Sequence, residues 1–287
     1  MDEADNIRDL ENQLEIEQVW ENLGISNDFM FGKVMQDAEL CQELLQRILP
    51  DLDIDHIEYP ELQKSIKTDV DAKSIRLDVY VKDKKGTVYN IEMQTTDTKE
   101  LPKRTRYYQG VIDLQLIDQG QTYNMLKPSY IIFICSFDMF KKGRHIYTFE
   151  NICKEDKNIS LGDETTKIFL NTDSVMNDVS EELRVFLDYV AGKKSDDSYI
   201  KKLDEAVKKA RLTKEWRSEY MTLYMRDRVN REKGREEGRE EGREEGRIYG
   251  AISVYRDLKL SDSEILKNLQ VKYGLSEKEA LKYLQEA

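Results

Sequence analysis

Histidine, cysteine and proline are scarce in this chain of 287 residues: it has two histidines, three cysteines and four prolines. Cys41, Cys135 and Cys153 make no Cys-x-x-Cys pair. That argues against a disulfide framework and against a structural zinc site. With only His56 and His145 to offer imidazole, any bound metal must be held by oxygen, which selects Mg²⁺ or Mn²⁺. The low proline content excludes collagen-like and proline-rich linker classes. The longest strongly apolar run is Ile131 to Cys135, far short of the roughly 20 residues of a membrane helix. No membrane partner is expected. The opening residues Met1-Asp2-Glu3-Ala4-Asp5 lack the basic region and apolar stretch of a secretory signal, so a cytoplasmic protein is expected.

Charge is abundant. Forty-five basic and 57 acidic side chains leave a net −12, which taken whole argues against a general nucleic-acid binder. The balance is uneven, however. Residues 1–61 hold 3 basic and 17 acidic side chains, and residues 62–110 hold 11 basic and 7 acidic. The middle segment is net positive by four.

The pattern along the chain divides it. Residues 1–24 read as an acidic helical segment, and a helix is predicted from about Asp28 to Ile48. Ile75, Leu77, Val79 and Val81 then alternate with polar residues, as do Tyr89, Ile91 and Met93, and both runs predict strands. Lys84-Lys85-Gly86 between them predicts a hairpin loop with a left-handed glycine. A helix follows to about Asp118, then a buried strand over 130–137 and weaker strands at 145–149 and 167–170. Residues 25–175 thus form an α/β core. Helices are predicted from there on: a helical region at 176–230, a Gly-Arg-Glu-Glu repeat at 231–250 and short helices at 251–287. Two capping boxes, Ser261 with Glu264 and Ser276 with Glu279, mark the last two helix starts.

The hairpin carries the most chemical information. If the loop sets the register, partner numbers sum to 170. Asp78 then lies opposite Glu92, about 5 Å away, and Arg76 lies opposite Gln94. Leu77, Val79, Ile91 and Met93 make the other face apolar. Two carboxylates so placed repel unless a proton or a cation sits between them. A divalent cation held by Asp78, Glu92 and the Met93 carbonyl would relieve the repulsion. The bland alternative is a solvated hairpin face carrying two unrelated acids.

Several segments together resemble a known group. They are Asn27-Asp28-Phe29-Met30-Phe31, Arg76-Leu77-Asp78-Val79-Tyr80-Val81, Ile91-Glu92-Met93-Gln94, Leu101-Pro102-Lys103-Arg104-x-Arg106-Tyr107-Tyr108 and the Gly-Arg-Glu tail. In order and spacing the chain is similar to the recombination-promoting nuclease and transposase-like group of the PD-(D/E)XK nuclease superfamily, over roughly residues 25 to 250. The resemblance implies a restriction-endonuclease-like mixed sheet flanked by helices, with an all-helical C-terminal extension. It also implies Mg²⁺-dependent cleavage of DNA, associated with recombination or mobile elements. Asp78 and Glu92 would hold one or two Mg²⁺ (or Mn²⁺) ions, and Gln94 would position the attacking water. Asp28 would be an additional acidic ligand, or simply a first-turn helix acid. Leu77 replaces the motif's proline at no chemical cost. Gln94 replaces the usual lysine, so the position can orient a water but carries no charge.

Arg104 shares the apolar side of its helix with Leu101 and Tyr108, so its charge needs a partner: DNA phosphate, the acidic site, or water reached by snorkelling. Lys103, Arg106 and Tyr108 either line a DNA groove with it or belong to a solvated face and to core packing. Gln94 leaves open a catalytically weak module of the same fold that binds DNA or protein. The helical third alone would suit a structural adaptor.

In the repeat, residues 226–247 carry eight basic and eight acidic side chains. Arg235, Arg239, Arg243 and Arg247 form a like-charge i,i+4 column that a partner helix would relieve. The glycines beside it permit close approach, so homo-oligomerisation through the C-terminal helices is expected; the bland alternative is a solvated, partly frayed linker helix. Residues 251–287 hold six basic and six acidic side chains and are not read as DNA-reading helices.

Overall fold

The structure, a computed structural model, describes residues 16–59, 65–66 and 75–287. Of the acidic N-terminal segment, residues 16–22 are helical (α1) and residues 1–15 lie outside the described residues. Among the described residues eight strands follow: β1 (Ile57–Glu58), β2 (Ser65–Ile66), β3 (Ile75–Arg76), β4 (Val79–Asp83), β5 (Val88–Gln94), β6 (Ser129–Cys135), β7 (Ile146–Phe149) and β8 (Thr165–Asn171). The helices are α2 (Asp28–Val34), α3 (Ala38–Ile48), α4 (Leu101–Leu116), α5 (Glu181–Val190), α6 (Ser198–Leu212), α7 (Lys214–Asp257), α8 (Asp262–Tyr273) and α9 (Glu277–Glu286).

The Lys84-Lys85-Gly86 loop sets the register of the β4–β5 hairpin. Gly86 adopts φ +84°, where a side chain would be strained. Its N–H donates to Asp83 O at 2.9 Å, and Asp83 N–H donates to Thr87 O at 3.1 Å. The ladder continues with Val81 opposite Tyr89 and Val79 opposite Ile91, so partner numbers sum to 170 as the loop required.

The strand alternation runs further than the strand itself. Ile75 and Arg76 leave the main sheet and pair with β2, Ser65 lying opposite Arg76. Arg76 therefore does not face Gln94, and β4 begins only at Val79. The predicted helix over 28–48 is likewise two helices. Asp37 re-caps the chain by accepting from Glu39 N–H at 3.0 Å and Leu40 N–H at 3.2 Å, which closes α2 and opens α3.

The mixed sheet has the order β1-β4-β5-β6-β8-β7, with β5, β6 and β8 parallel and the outer pairings antiparallel. A β5–α4–β6 crossover accounts for the first parallel pair. Helix α4 lays Leu101, Tyr108, Val111 and Ile112 on Val88, Ile131, Phe133 and Phe169. Tyr108, Phe133 and Phe169 stack in sequence at 6.3 and 5.7 Å. Helix α2 also packs on β5 and is buried from Phe29 to Val34. Strand β5 is thus buried on both faces, unlike the solvated hairpin face of the bland alternative.

Tyr199 on α6 donates to Leu40 O of α3 at 2.8 Å. Arg47 of α3 pairs with Asp197, which is also the α6 N-cap. These contacts fix α3 and α6 behind α2. Lys33 is buried against Phe29 and Trp216 and pairs with Glu219 at 2.8 Å.

The described residues up to Tyr220 form one compact unit and residues 221–287 a second. The second has its own small core of Ile248, Ile252, Ile265, Leu269, Ala280 and Leu284. Both predicted capping boxes are present. Among the described residues no helix is long and apolar enough to cross a membrane.

Gly32 couples α2 to the start of β4, because a Cβ there would lie 3.3 Å from the Asp78 carbonyl oxygen. Gly32→Val should cost about 1–3 kcal/mol by overpacking and lower the melting temperature by about 2–12 °C. An unchanged melting temperature would mean that α2 can retreat freely from β4.

Candidate active site

The site forms where the β4–β5 ladder stops. In register, Met93 N–H would face Leu77; instead it donates to Asp78 Oδ2 at 3.1 Å. Asp78 N–H in turn donates to Glu92 Oε1 at 3.2 Å. Each carboxylate therefore takes a backbone donor from the other's strand, and these two bonds replace the ladder at this point. The register places the carboxylates opposite each other, and the reciprocal bonds hold them there.

Glu92 is 1% exposed, whereas Asp78 is half-buried. Asn90, on the same strand face as Glu92, donates from Nδ2 to Glu92 Oε1 at 3.1 Å. Its own Oδ1 is buried with no hydrogen-bond partner. On the other side Arg104 reaches over from the first turns of α4. Its Nη2 donates to Glu92 Oε2 at 3.1 Å and its Nη1 to Gln94 Oε1 at 3.0 Å. Nε donates to the Tyr108 hydroxyl at 2.7 Å. The guanidinium lies over the Tyr108 ring at 5.1 Å and the Phe133 ring at 5.6 Å. Gln94 Nε2 donates to Thr96 O at 2.7 Å, so both ends of its amide are held.

Burial pushes the Glu92 carboxyl well above the usual carboxylate range, and the Asp78 charge pushes it further. Arg104 and the donors from Asp78 and Asn90 oppose this without cancelling it.

The predicted site residues separate into three groups. Asp78, Glu92 and Gln94 converge at the C-terminal end of β5, the end at which open α/β sheets carry their sites. Arg104 belongs with them, joined to the acidic site. Asp28 sits in the first turn of α2, accepts from Phe29 N–H at 2.8 Å, and lines a groove of about 410 Å³ with Met93, Gln94 and Thr95. Among the described residues no third Asp, Glu, His or Cys completes a metal-holding cluster, so Asp28 is not brought together with the carboxylate pair. Lys103 and Arg106 are exposed on α4. Tyr108, expected in a DNA groove, is 4% exposed and acts instead as a core residue that holds Arg104.

Asn90 was missed in the sequence. Its signal was there: Asn90, Glu92 and Gln94 put three polar side chains in a row on one strand face. The donors in reach are two carboxylates and an orphaned amide oxygen, all hard oxygen atoms, and such a set fits Mg²⁺ or Mn²⁺.

A mixed sheet flanked by helices, with paired carboxylates and a glutamine at the end of its central hairpin, defines a PD-(D/E)XK nuclease-like protein. Residues 26–231 match the model of the PD-(D/E)XK nuclease family transposases, and the chain belongs to that family. No curated protein and no solved structure matches it significantly.

Because Glu92 has a folded pKa above its unfolded value, its contribution to stability is complete at low pH. It is lost as pH rises through the folded pKa. In the presence of EDTA, Glu92→Gln should therefore be more stable relative to wild type at about pH 8 than at about pH 5. Parallel melting curves across that range would contradict a buried, strained carboxylate.

Proposed function

We propose that this chain is a Mg²⁺-dependent DNA endonuclease that serves recombination or a mobile element. The observation that carries the reading is the carboxylate pair locked by reciprocal backbone bonds beside an amide held at both ends. Asp78 and Glu92 would hold the metal, with the Asn90 amide oxygen within the same donor set. When bound, the ion supplies a lowered pKa for the attacking water and neutralises charge on the scissile phosphate.

The remaining work falls to the chain's own side chains. Gln94 has one amide hydrogen and one lone pair beyond its contacts with Thr96 and Arg104, enough to orient a water in a fixed direction. The burial of Glu92 keeps bulk water from screening the site. Lys103 and Arg106, exposed on the same helix as Arg104, can meet the phosphates on either side. The net positive charge of residues 62–110 favours DNA at this part of the chain despite the overall −12.

The full chain should nick supercoiled plasmid DNA with Mg²⁺. Asp78→Ala and Glu92→Ala should each slow the reaction by about a hundredfold or more. Equal cutting by all three would assign the activity to a contaminant. DNA binding with no cutting would favour the non-catalytic module that Gln94 allows.

Self-association through the C-terminal helices is part of the same proposal. Gly234, Gly238, Gly242, Gly246 and Gly250 line up on α7, and a Cβ at any of them would meet nothing within 4 Å. At about 100° per residue the arginine column lies on one side of this stripe and the Glu237, Glu241 and Glu245 column on the other. Two parallel copies meeting stripe to stripe set each arginine column against the other's glutamate column, whereas antiparallel copies set arginine against arginine. Parallel pairing is therefore the arrangement the charges favour. Truncation after Met225 should lower the oligomeric state measured by light scattering; an unchanged state would contradict it.

A further inference from the structure

The nuclease reading leaves one charge unexplained. A lysine at position 94 would bring a cation to the attacking water, and this chain has an uncharged glutamine there. Yet a cation does reach position 94. Arg104 Nη1 lies 3.0 Å from Gln94 Oε1, while Nη2 of the same guanidinium lies 3.1 Å from Glu92 Oε2. The fork spans two side chains that point the same way from β5, so both are held by one planar group. Its third donor, Nε, is fixed on the Tyr108 hydroxyl, and its flat face rests on Tyr108 and Phe133.

Three donors in one rigid plane are a property of arginine that lysine cannot reproduce with a single nitrogen. An arginine that served only to neutralise Glu92 would have no need of Gln94. One that served only as a DNA clamp would not be tied to the protein on three sides. The side chain is nonetheless 34% exposed, so it is not sealed from the solvent from which a phosphate would come.

We propose that Arg104 is the positioning residue of this site. From α4 it supplies the positive charge that Gln94 lacks, and it fixes Glu92 and Gln94 in one orientation. This rests on the nuclease reading and adds a consequence to it. Arg104 sits on the same carboxylate that would hold a divalent cation, so the two positive charges oppose each other there. Removing Arg104 should slow cleavage without weakening metal binding, whereas the loss of a merely structural residue would damage both.

The test uses the full chain in five forms: wild type, Arg104→Gln, Arg104→Lys, Gln94→Lys and the double variant Arg104→Gln with Gln94→Lys. Plasmid nicking is measured with Mg²⁺, and Mn²⁺ binding is measured separately by the electron paramagnetic resonance of the free ion. Arg104→Gln should nick about a hundredfold more slowly and bind Mn²⁺ at least as tightly as wild type. Arg104→Lys, which keeps the charge but loses the fork, should fall between the two. The double variant should recover about tenfold or more over Arg104→Gln, because the lysine returns the charge to position 94.

Nicking by Arg104→Gln within about threefold of wild type would overturn the proposal. So would loss of Mn²⁺ binding together with activity, and so would a double variant no better than Arg104→Gln. A wild-type chain that does not nick would instead overturn the nuclease reading itself.

Discussion

Two carboxylates are forced together at the point where a β-ladder ends, and much of the structure follows from that constraint. Asp78 and Glu92 are not merely opposite each other; each accepts a backbone N–H from the other's strand. The arrangement replaces regular strand pairing, so the chain before Asp78 is free to leave the sheet and pair elsewhere as β3. It also needs support from both sides. Helix α2 presses Gly32 against the Asp78 carbonyl, with no side chain between them. Helix α4 brings Arg104 over Glu92, and the aromatic stack of Tyr108, Phe133 and Phe169 holds the arginine in place. The core on this side of the sheet is therefore also the platform of the site.

The electrostatics show why such a pair is costly to hold without a cation. Burial and mutual repulsion lift Glu92 above the normal carboxylate range, and one arginine does not fully offset them. Low local dielectric strengthens the repulsion and strengthens equally the attraction of any cation that enters. The amide that donates to Glu92 from Asn90 carries an unpartnered oxygen, a buried acceptor with no donor of its own. A chain selected only for stability would replace these groups with apolar ones of similar size.

Much of this was legible in the sequence where the determinants are local. Lys84-Lys85-Gly86 fixed a register that placed Asp78 opposite Glu92, because a three-residue loop with a left-handed glycine leaves little freedom. The capping boxes at Ser261 and Ser276 were read from four-residue patterns and are present. What escaped depends on distant partners. Alternation through Ile75 and Leu77 looked like one strand, but periodicity does not reveal which strand a residue pairs with. The break between α2 and α3 turned on Asp37 capping a new helix within an unbroken helical pattern. Tyr108 and Arg104 occupy one helix face, and only the fold shows that the tyrosine is core while the arginine reaches the carboxylates.

On the proposed function, the strained pair of Asp78 and Glu92 is built for a divalent cation. A ligand at free concentration L that binds only the folded state stabilises it by RT ln(1 + L/Kd) and so raises its melting temperature. Thermal unfolding of the full chain with and without millimolar Mg²⁺, in wild type and in Asp78→Asn, tests this directly. Mg²⁺ should raise the melting temperature of wild type and leave that of Asp78→Asn where it was. No shift in wild type, or the same shift in both, would contradict the claim.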